Sequence, residues 1–328
     1  MVVLEADAPG SGQSTGPGRI FRHVHALAPL VGLAAEARRG WHALGERLGA
    51  RLLGDQGTLL LGEAAEHAAR LAAAGVPHRV LDAAEVAALV PALDPGGGPG
   101  LLDPGGGAID AEAFVSLVAR ELGGALVRAR VDGVRPAGGG AEVLTGAGRR
   151  AAARVLVCAG AETPGLAAGM GLRLPVTGTV HRRVSFAVPA GAGGLPCLLE
   201  RSGRFGMTGY GTPLPGGGFA LGTAAADDLP ADEAIARTAA YLRRALPGLD
   251  PRPIGVVRCA STVLAGHTEA MGLYGDGPVR FFAGGNLFKH VPALGPLLAD
   301  AMLDDRVAPV IAPPEAASLD PAAGVAER

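Results

Sequence analysis

The residues best suited to chemistry are charges that stand where the sequence does not merely scatter them. Of 29 basic residues one is a lysine, Lys289, in "GGNLFKH". Wherever the chain needs only a surface cation it uses arginine, so a position that keeps an ammonium is singled out. Near the other end, "RIFRHVH" places Arg19 and Arg22 three residues apart, beside His23 and His25. Before them, Val2, Val3 and Leu4 read as a strand closing on Glu5, followed by the loop "GSGQSTGPG". A carboxylate at the end of such a strand can grip a ribose through its hydroxyls.

The loop offers backbone N–H groups and small hydroxyls, a lining suited to a pyrophosphate or a flavin. Taken alone, the same residues read better as a surface strand and a solvated loop. The glycine fingerprint G-x-G-x-x-G belongs about 20 residues before a ribose-binding acid, and it occurs nowhere in the 328 residues. With 53 glycines in the chain, glycine-rich strings carry little weight by themselves. The histidines lack metal-ligand spacing with any Cys or acid, so no metal is expected. His181, in "TVHRRV", reads as structural, and His290 flanks Lys289 as His23 flanks Arg22.

Composition narrows the class. An apolar fraction of 48% and a net charge of -2 describe a globular chain with room for one large domain or two ordinary ones. No basic excess points to nucleic acid, and no long uncharged apolar run points to a membrane span. Three scattered cysteines, Cys158, Cys197 and Cys259, argue against a disulfide framework; a reducing cytoplasm is the default.

The elements that must position these residues follow from periodicity. Leu33, Ala37, Trp41, Leu44 and Leu48 share one face of a helix predicted over 30–48. "GTLLLG" reads as a short buried strand, and Asp110 as the N-cap of a helix through Leu122. "RVLVCAGA" is a buried strand of the parallel type that emerges into a glycine turn. From about 173 to 265 the texture is antiparallel, with one helix over 231–246. Units of α/β type at both ends bracket this middle, which implies two domains sharing the chain discontinuously.

Taken in order, "RIFRH", "GTLLLG", "DPGGGAID", "RVLVCAGA" and "FFAGGNLFKHVPALG" resemble the D-amino-acid-oxidase-like flavoprotein superfamily, nearest the sarcosine oxidase and N-methyl-amino-acid oxidase branch. The resemblance runs from residue 2 to about 305. It implies an α/β fold: a Rossmann-like FAD-binding domain (1–50, 105–170 and 266–310) interleaved with an antiparallel substrate domain (51–104 and 171–265), then a loosely ordered tail. It also implies that the first strand and helix of the FAD unit are missing, with a start codon assigned too late as the first explanation.

By this resemblance Glu5 would hold the ribose, Gln13, Ser14 and Thr15 would run beside noncovalent FAD, and Arg19 would sit against the flavin. Val131 would contact the adenine side, Ala159 and Gly160 would approach the cofactor, and Gly284, Gly285 and Asn286 would pass near the ring. Arg22 and Lys289 would clamp a substrate carboxylate, since a guanidinium fork orients it and an ammonium adds a compact second charge. Met207 and Tyr210 are candidate pocket walls, with ordinary strand packing equally open. Some relatives attach FAD through a cysteine; here Arg258 falls on that position and Cys259 lies one residue beyond. Relatives' lysine and histidine near the flavin are replaced by Ala220 and Ala224. The implied activity is oxidation of the C–N bond of an amino acid or N-alkyl amino acid, with hydride passing to flavin N5. Oxygen or a partner protein would reoxidise the flavin. A noncatalytic accessory chain and a tailoring oxidase of a larger metabolite stay open.

Overall fold

The computed structural model describes residues 1–94, 98–190, 194–224, 229–265, 267–275 and 277–303. The expected tail, 311–328, lies outside them. The chain divides into two units. One comprises Met1–Ser14, Val115–Thr179 and the described residues from Ala260 onward; the other comprises Thr15–Phe114 and Val180–Cys259. The stretch 15–50, assigned to the FAD-binding domain from the sequence, falls in the second unit.

The first unit is α/β in character. Strand Val155–Val157 runs parallel to Val279–Gly284, which pairs antiparallel with Met271–Tyr274. Strand Val3–Glu5 runs parallel to Leu126–Arg128. A meander of Val131–Ala137, Gly140–Thr145 and Gly148–Ala152 completes it. Val157, Phe281, Val279, Val134 and Tyr274 form the core, with Leu4 packed against them.

The second unit is built on an eight-stranded mixed sheet. Its order is Pro253–Leu264, Val176–Ala187, Gly218–Thr223, Gly209–Pro213, Cys197–Glu200, Thr58–Leu61, Gly100–Asp103 and Arg79–Leu81. Side chains alternate between the two faces of a strand. Leu59, Leu61, Leu198, Val184, Phe186, Phe219 and Leu221 point to one face and pack with Tyr241 and Leu242 of helix Ala231–Ala245. Leu60, Leu101 and Leu199 point to the other, where they meet Val24, Val31 and Leu71. Gly209 and Gly222 permit close packing of rings on the two faces. A Cβ at Gly209 would lie 2.7 Å from the Tyr241 ring, and one at Gly222 would lie 2.3 Å from the Tyr210 ring.

Helix Ala28–Leu48 carries Pro29 in its first turn, where the missing N–H costs nothing. It ends on Gly49 at φ 66°, a left-handed stop that glycine adopts without strain. Its buried stripe contains Leu33, Ala37 and Trp41, as the periodicity predicts. Helix Ala83–Leu89 opens with a reciprocal capping box between Asp82 and Glu85. Trp41 is fully buried and meets Phe114 edge to face, with centroids 4.8 Å apart. Trp41→Ala is expected to lower stability by about 3–5 kcal/mol through the cavity it leaves, measured by urea denaturation with circular dichroism.

Candidate active site and cofactor-binding residues

Arg22 follows the strand Gly18–Phe21, which pairs with Gly107–Asp110. The chain on either side of it is fixed by buried side chains. Thr58 Oγ1 donates to the Phe21 carbonyl at 2.8 Å. The His23 amide donates to Asp103 Oδ2 at 2.6 Å, and its Nδ1 lies 3.0 Å from Oδ1. Asp103 is fully buried and also accepts from the Gly105 amide at 3.1 Å. Arg22 itself is 5% exposed, so it is no surface arginine on a loop. A carboxylate that takes several N–H groups out of water satisfies its acceptor capacity and holds the donors rigidly.

His67, on helix Ala64–Ala73, senses the same neighbourhood. It is 2% exposed, and its Nε2 stands 3.6 Å from Glu63 Oε2. Burial lowers its pKa below the usual histidine value; Arg201 and Arg70 push the same way, Glu63 opposes, and Arg22 adds a further lowering. Glu63 adopts φ 52° and also pairs with Arg201 at 3.8 Å. A non-glycine residue in the left-handed region costs free energy and persists only where its surroundings require it.

Arg19 belongs to the same strand. It donates to the Gly18 carbonyl at 2.9 Å and to the Thr15 carbonyl. Burial, and next the Arg183 charge, lower its pKa to about 10, while Cys259 and Tyr210 counteract this. Tyr210 is half-buried against Ile20 and the Leu60–Leu199 side of the sheet. Met207 packs against the opposite cluster, around Phe186 and Phe219. The structure therefore does not bring Met207 and Tyr210 onto one wall.

In the first unit, Lys289 lies in a 3-10 turn, Leu287–His290, that leads into helix Val291–Leu303. It is 5% exposed, and its Nζ donates to the Asn286 carbonyl at 3.0 Å. Asn286 adopts φ 56° and its side chain reaches the Thr268 carbonyl at 3.4 Å. The glycines before it have a steric reason of their own. A Cβ at Gly284 would fall 2.7 Å from the Ala270 carbonyl oxygen, and one at Gly285 2.1 Å from that of Thr268.

Glu5 ends its strand half-buried, with Oε1 accepting from the Asp7 amide at 3.3 Å. The turn after Val155–Val157 passes through Ala159 to Gly160 at φ 57°. Space opens where a Cβ would stand at Gly160, and Gln13 is its near neighbour, at 3.7 Å from Oε1. Val131 is half-buried and packs on the core beside Leu4. Arg130 ties these segments together, pairing with Glu162 at 2.8 Å and with Asp7 at 3.6 Å. Thus Glu5, Gln13, Ser14, Val131, Ala159, Gly160, Gly284, Gly285, Asn286 and Lys289 share one unit; Thr15, Arg19, Arg22, Met207 and Tyr210 belong to the other. Sequence reasoning missed Asp103, Glu63, His67 and Arg183. The turn "DPGGG" was the available signal for Asp103.

The FAD-dependent oxidoreductase family, abbreviated DAO, matches residues 1–301. The chain belongs to this family. Its fold is that of several solved relatives. NikD, described as an unusual amino acid oxidase essential for nikkomycin biosynthesis, superposes with a TM-score of 0.82 at 23% identity, over 94% of this chain and 89% of that one. Glycine oxidase from Geobacillus kaustophilus gives 0.81 at 21% identity, over 95% and 90%. Iminodiacetate oxidase from Chelativorans sp. BNC1 gives 0.74 at 20%, over 93% and 89%. No curated protein matches.

The family's FAD can be tested against the residues present. Glu5 at a strand terminus, Gln13 beside it and the open space at Gly160 fit the ribose side of the cofactor and the close backbone approach it requires. The glycine fingerprint for the pyrophosphate is not among the 328 residues. Among the described residues there is no cluster with metal-ligand composition and no helix long and apolar enough to cross a membrane.

A histidine whose folded-state pKa lies below its unfolded value of 6.5 binds its proton more readily after unfolding. Its contribution is therefore complete above pH 6.5 and is lost as pH falls through the folded-state value. His67→Gln is expected to flatten the part of the acid-side stability loss that begins below pH 6.5, measured by thermal melts from pH 8 to 5.

Proposed function

We propose that this chain oxidises the C–N bond of an amino acid or N-alkyl amino acid. The observation that carries the reading is the burial of two cations in the blocks that resemble the sarcosine oxidase branch. Lys289, the chain's one lysine, and Arg22 are each 5% exposed. Charged side chains are rarely withdrawn from water, so two buried cations in these blocks are more informative than two on the surface. The structural relatives NikD, an amino acid oxidase, and glycine oxidase agree with a substrate that carries a carboxylate.

In this reading Arg22 receives the substrate carboxylate on its guanidinium fork, held in place by the Thr58 and Asp103 anchors on its neighbours. Lys289 contributes the companion positive charge, with its amine steadied on the Asn286 carbonyl. Glu5 binds the ribose of FAD, Gln13, Ser14 and Thr15 line its course, Val131 meets the adenine side, and Ala159 and Gly160 admit it closely. Gly284, Gly285 and Asn286 carry the turn near the ring. FAD, held noncovalently, would supply the two-electron acceptor, with dioxygen or another acceptor to reoxidise it. The substrate loses a hydride from the carbon bearing nitrogen and a proton from nitrogen, and the imine is released to hydrolysis. Orientation of the C–H by the fixed carboxylate is the protein's main contribution to rate.

A tailoring role on a larger metabolite is the second reading, favoured by the small side chains Ala220 and Ala224 at positions where the resemblance to sarcosine oxidases implies a lysine and a histidine. Purified protein is expected to show a flavin spectrum that bleaches anaerobically with small amino acids. Arg22→Met should raise KM at least tenfold with a smaller effect on kcat, as loss of ground-state and transition-state binding in common would do. A flavin that no amino acid reduces would overturn the reading, and a colourless folded chain would favour a noncatalytic one.

A further inference from the structure

Helix Ala64–Ala73 buries two side chains, His67 and Leu71. Leu71 packs with Val24, Val31, Leu60, Ile20 and Tyr210. Residues four apart share one face of a helix, so His67 looks onto the same side of the large sheet as that cluster. Ile20 and Val24 stand two residues before and two residues after Arg22. The Arg22 charge bears on the imidazole, so guanidinium and ring occupy one neighbourhood.

The two ring nitrogens of His67 have different surroundings. Nε2 stands 3.6 Å from Oε2 of Glu63, an exposed residue. Nδ1 is buried, and among the described residues it has no hydrogen-bond partner. A carboxylate beside Nε2 favours the proton there, which leaves Nδ1 as an acceptor. Burial, and next Arg201 and Arg70, keep the ring neutral against the pull of Glu63. Buried acceptors are paired in nearly every fold, so an unmet lone pair on a ring 2% exposed points to a donor from outside the chain.

The backbone sets Glu63 in place. The Arg201 amide donates to the Leu61 carbonyl at 2.9 Å. Gly62, at φ 82°, lies so near that a Cβ there would fall 2.7 Å from the Ser202 amide nitrogen. Glu63 then takes φ 52° and stands between His67 and the Arg201 guanidinium, 3.8 Å from the latter. Arg70, one turn after Glu66, is paired with that residue.

We propose that His67 is a substrate-recognition residue: Nδ1 accepts a hydrogen bond from the N–H of the amino acid whose carboxylate lies on Arg22, and Glu63 fixes the tautomer that allows it. The inference rests on the reading of Arg22 given above. It makes the site select nitrogen beside the carboxylate, because an acid of the same shape without an N–H leaves the lone pair unmet. Glu63 acts through His67 and is a positioning residue.

The test uses two probes of matched shape, α-aminoisobutyrate and pivalate. They differ by an amino group in place of a methyl, and neither has a hydrogen on the carbon beside the carboxylate to give up as hydride. Calorimetric titration of the purified full chain at fixed pH gives the ratio of their dissociation constants. Preference for the amine is expected to fall about threefold to tenfold in His67→Leu, the usual loss for one hydrogen bond. It should persist in His67→Asn, whose amide oxygen takes the place of Nδ1, and fall in His67→Gln, whose amide reaches the place of Nε2. An unchanged ratio in His67→Leu overturns the inference. Should that variant fail to fold, equal ratios in His67→Asn and His67→Gln overturn it instead.

Arg22→Met separates this inference from the reading beneath it. It is expected to weaken both probes at least tenfold and leave their ratio unaltered. Affinities unchanged in Arg22→Met remove the carboxylate clamp, and the ratio in His67→Leu then decides the nitrogen contact alone. Where neither probe binds the wild type, KM for amino-acid substrates takes over. It should rise at least threefold in His67→Leu, with a smaller change in kcat, and hold in His67→Asn; an unchanged KM overturns the contact. A wild type that binds neither probe and whose flavin no amino acid reduces overturns both.

Discussion

Much of this structure depends on how it holds positive charge out of water. Arg22 is the clearest case. A guanidinium that is 5% exposed can keep one orientation only if the backbone that carries it cannot move. Here the residue before it is held through its carbonyl by Thr58, and the residue after it through its amide by Asp103. Asp103 is itself the last residue of a strand paired on both sides within the large sheet, so the anchor is referenced to the sheet and not to a loop. Hydrogen bonds to a buried carboxylate are among the stronger ones available to a protein, and leaving one of their donors unmet is expensive.

The large sheet divides labour between its faces. One face is apolar and closes on helix Ala231–Ala245; the other mixes leucines with Thr58, Asp103, Tyr210, Ser185 and Arg183. A strand that alternates in this way can be a wall of the core and a wall of a site with the same few residues. Glycines at 209 and 222 let a tyrosine ring lie against the backbone on each side. The polar face therefore keeps its shape through packing on the apolar one, and a substitution at Phe219 or Leu221 would reach Arg183 through the sheet and not through direct contact.

What the sequence made legible was local. The helix predicted over 30–48 is Ala28–Leu48, and that over 231–246 is Ala231–Ala245, because an apolar stripe and terminal residues are signals within one segment. Asp110 accepts from the Ala113 amide as an N-cap should. The unusual lysine was visible from counting, and its burial agrees with that signal. The Asp103–His23 anchor was not legible, since its partners are 80 residues apart and a turn aspartate reads as solvated. Arg183 was hidden among 28 arginines, and only strand register shows which of them face inward. Met207 and Tyr210 were grouped by nearness in the chain, yet an odd spacing near a strand tends to send side chains to opposite faces.

The first unit works by a different economy, in which backbone matters more than side chains. Among the described residues strand Val3–Glu5 has one partner strand, Leu126–Arg128, and Val155–Val157 also has one, Val279–Gly284. Glu5 and the Gly160 turn stand at the carboxyl ends of these two strands, the end at which open α/β sheets take their ligands. Gly160 contributes a left-handed turn and an absent Cβ; Gly284 and Gly285 contribute clearance from Ala270 and Thr268. None of the three could be recognised by charge or size. Their effect is to let the chain turn sharply beside a strand end and, at Asn286, to accept a left-handed residue whose carbonyl then receives the Lys289 ammonium. The one lysine is thus placed by a backbone conformation, which is why substituting the glycines before it should disturb Lys289 as surely as replacing Lys289 itself.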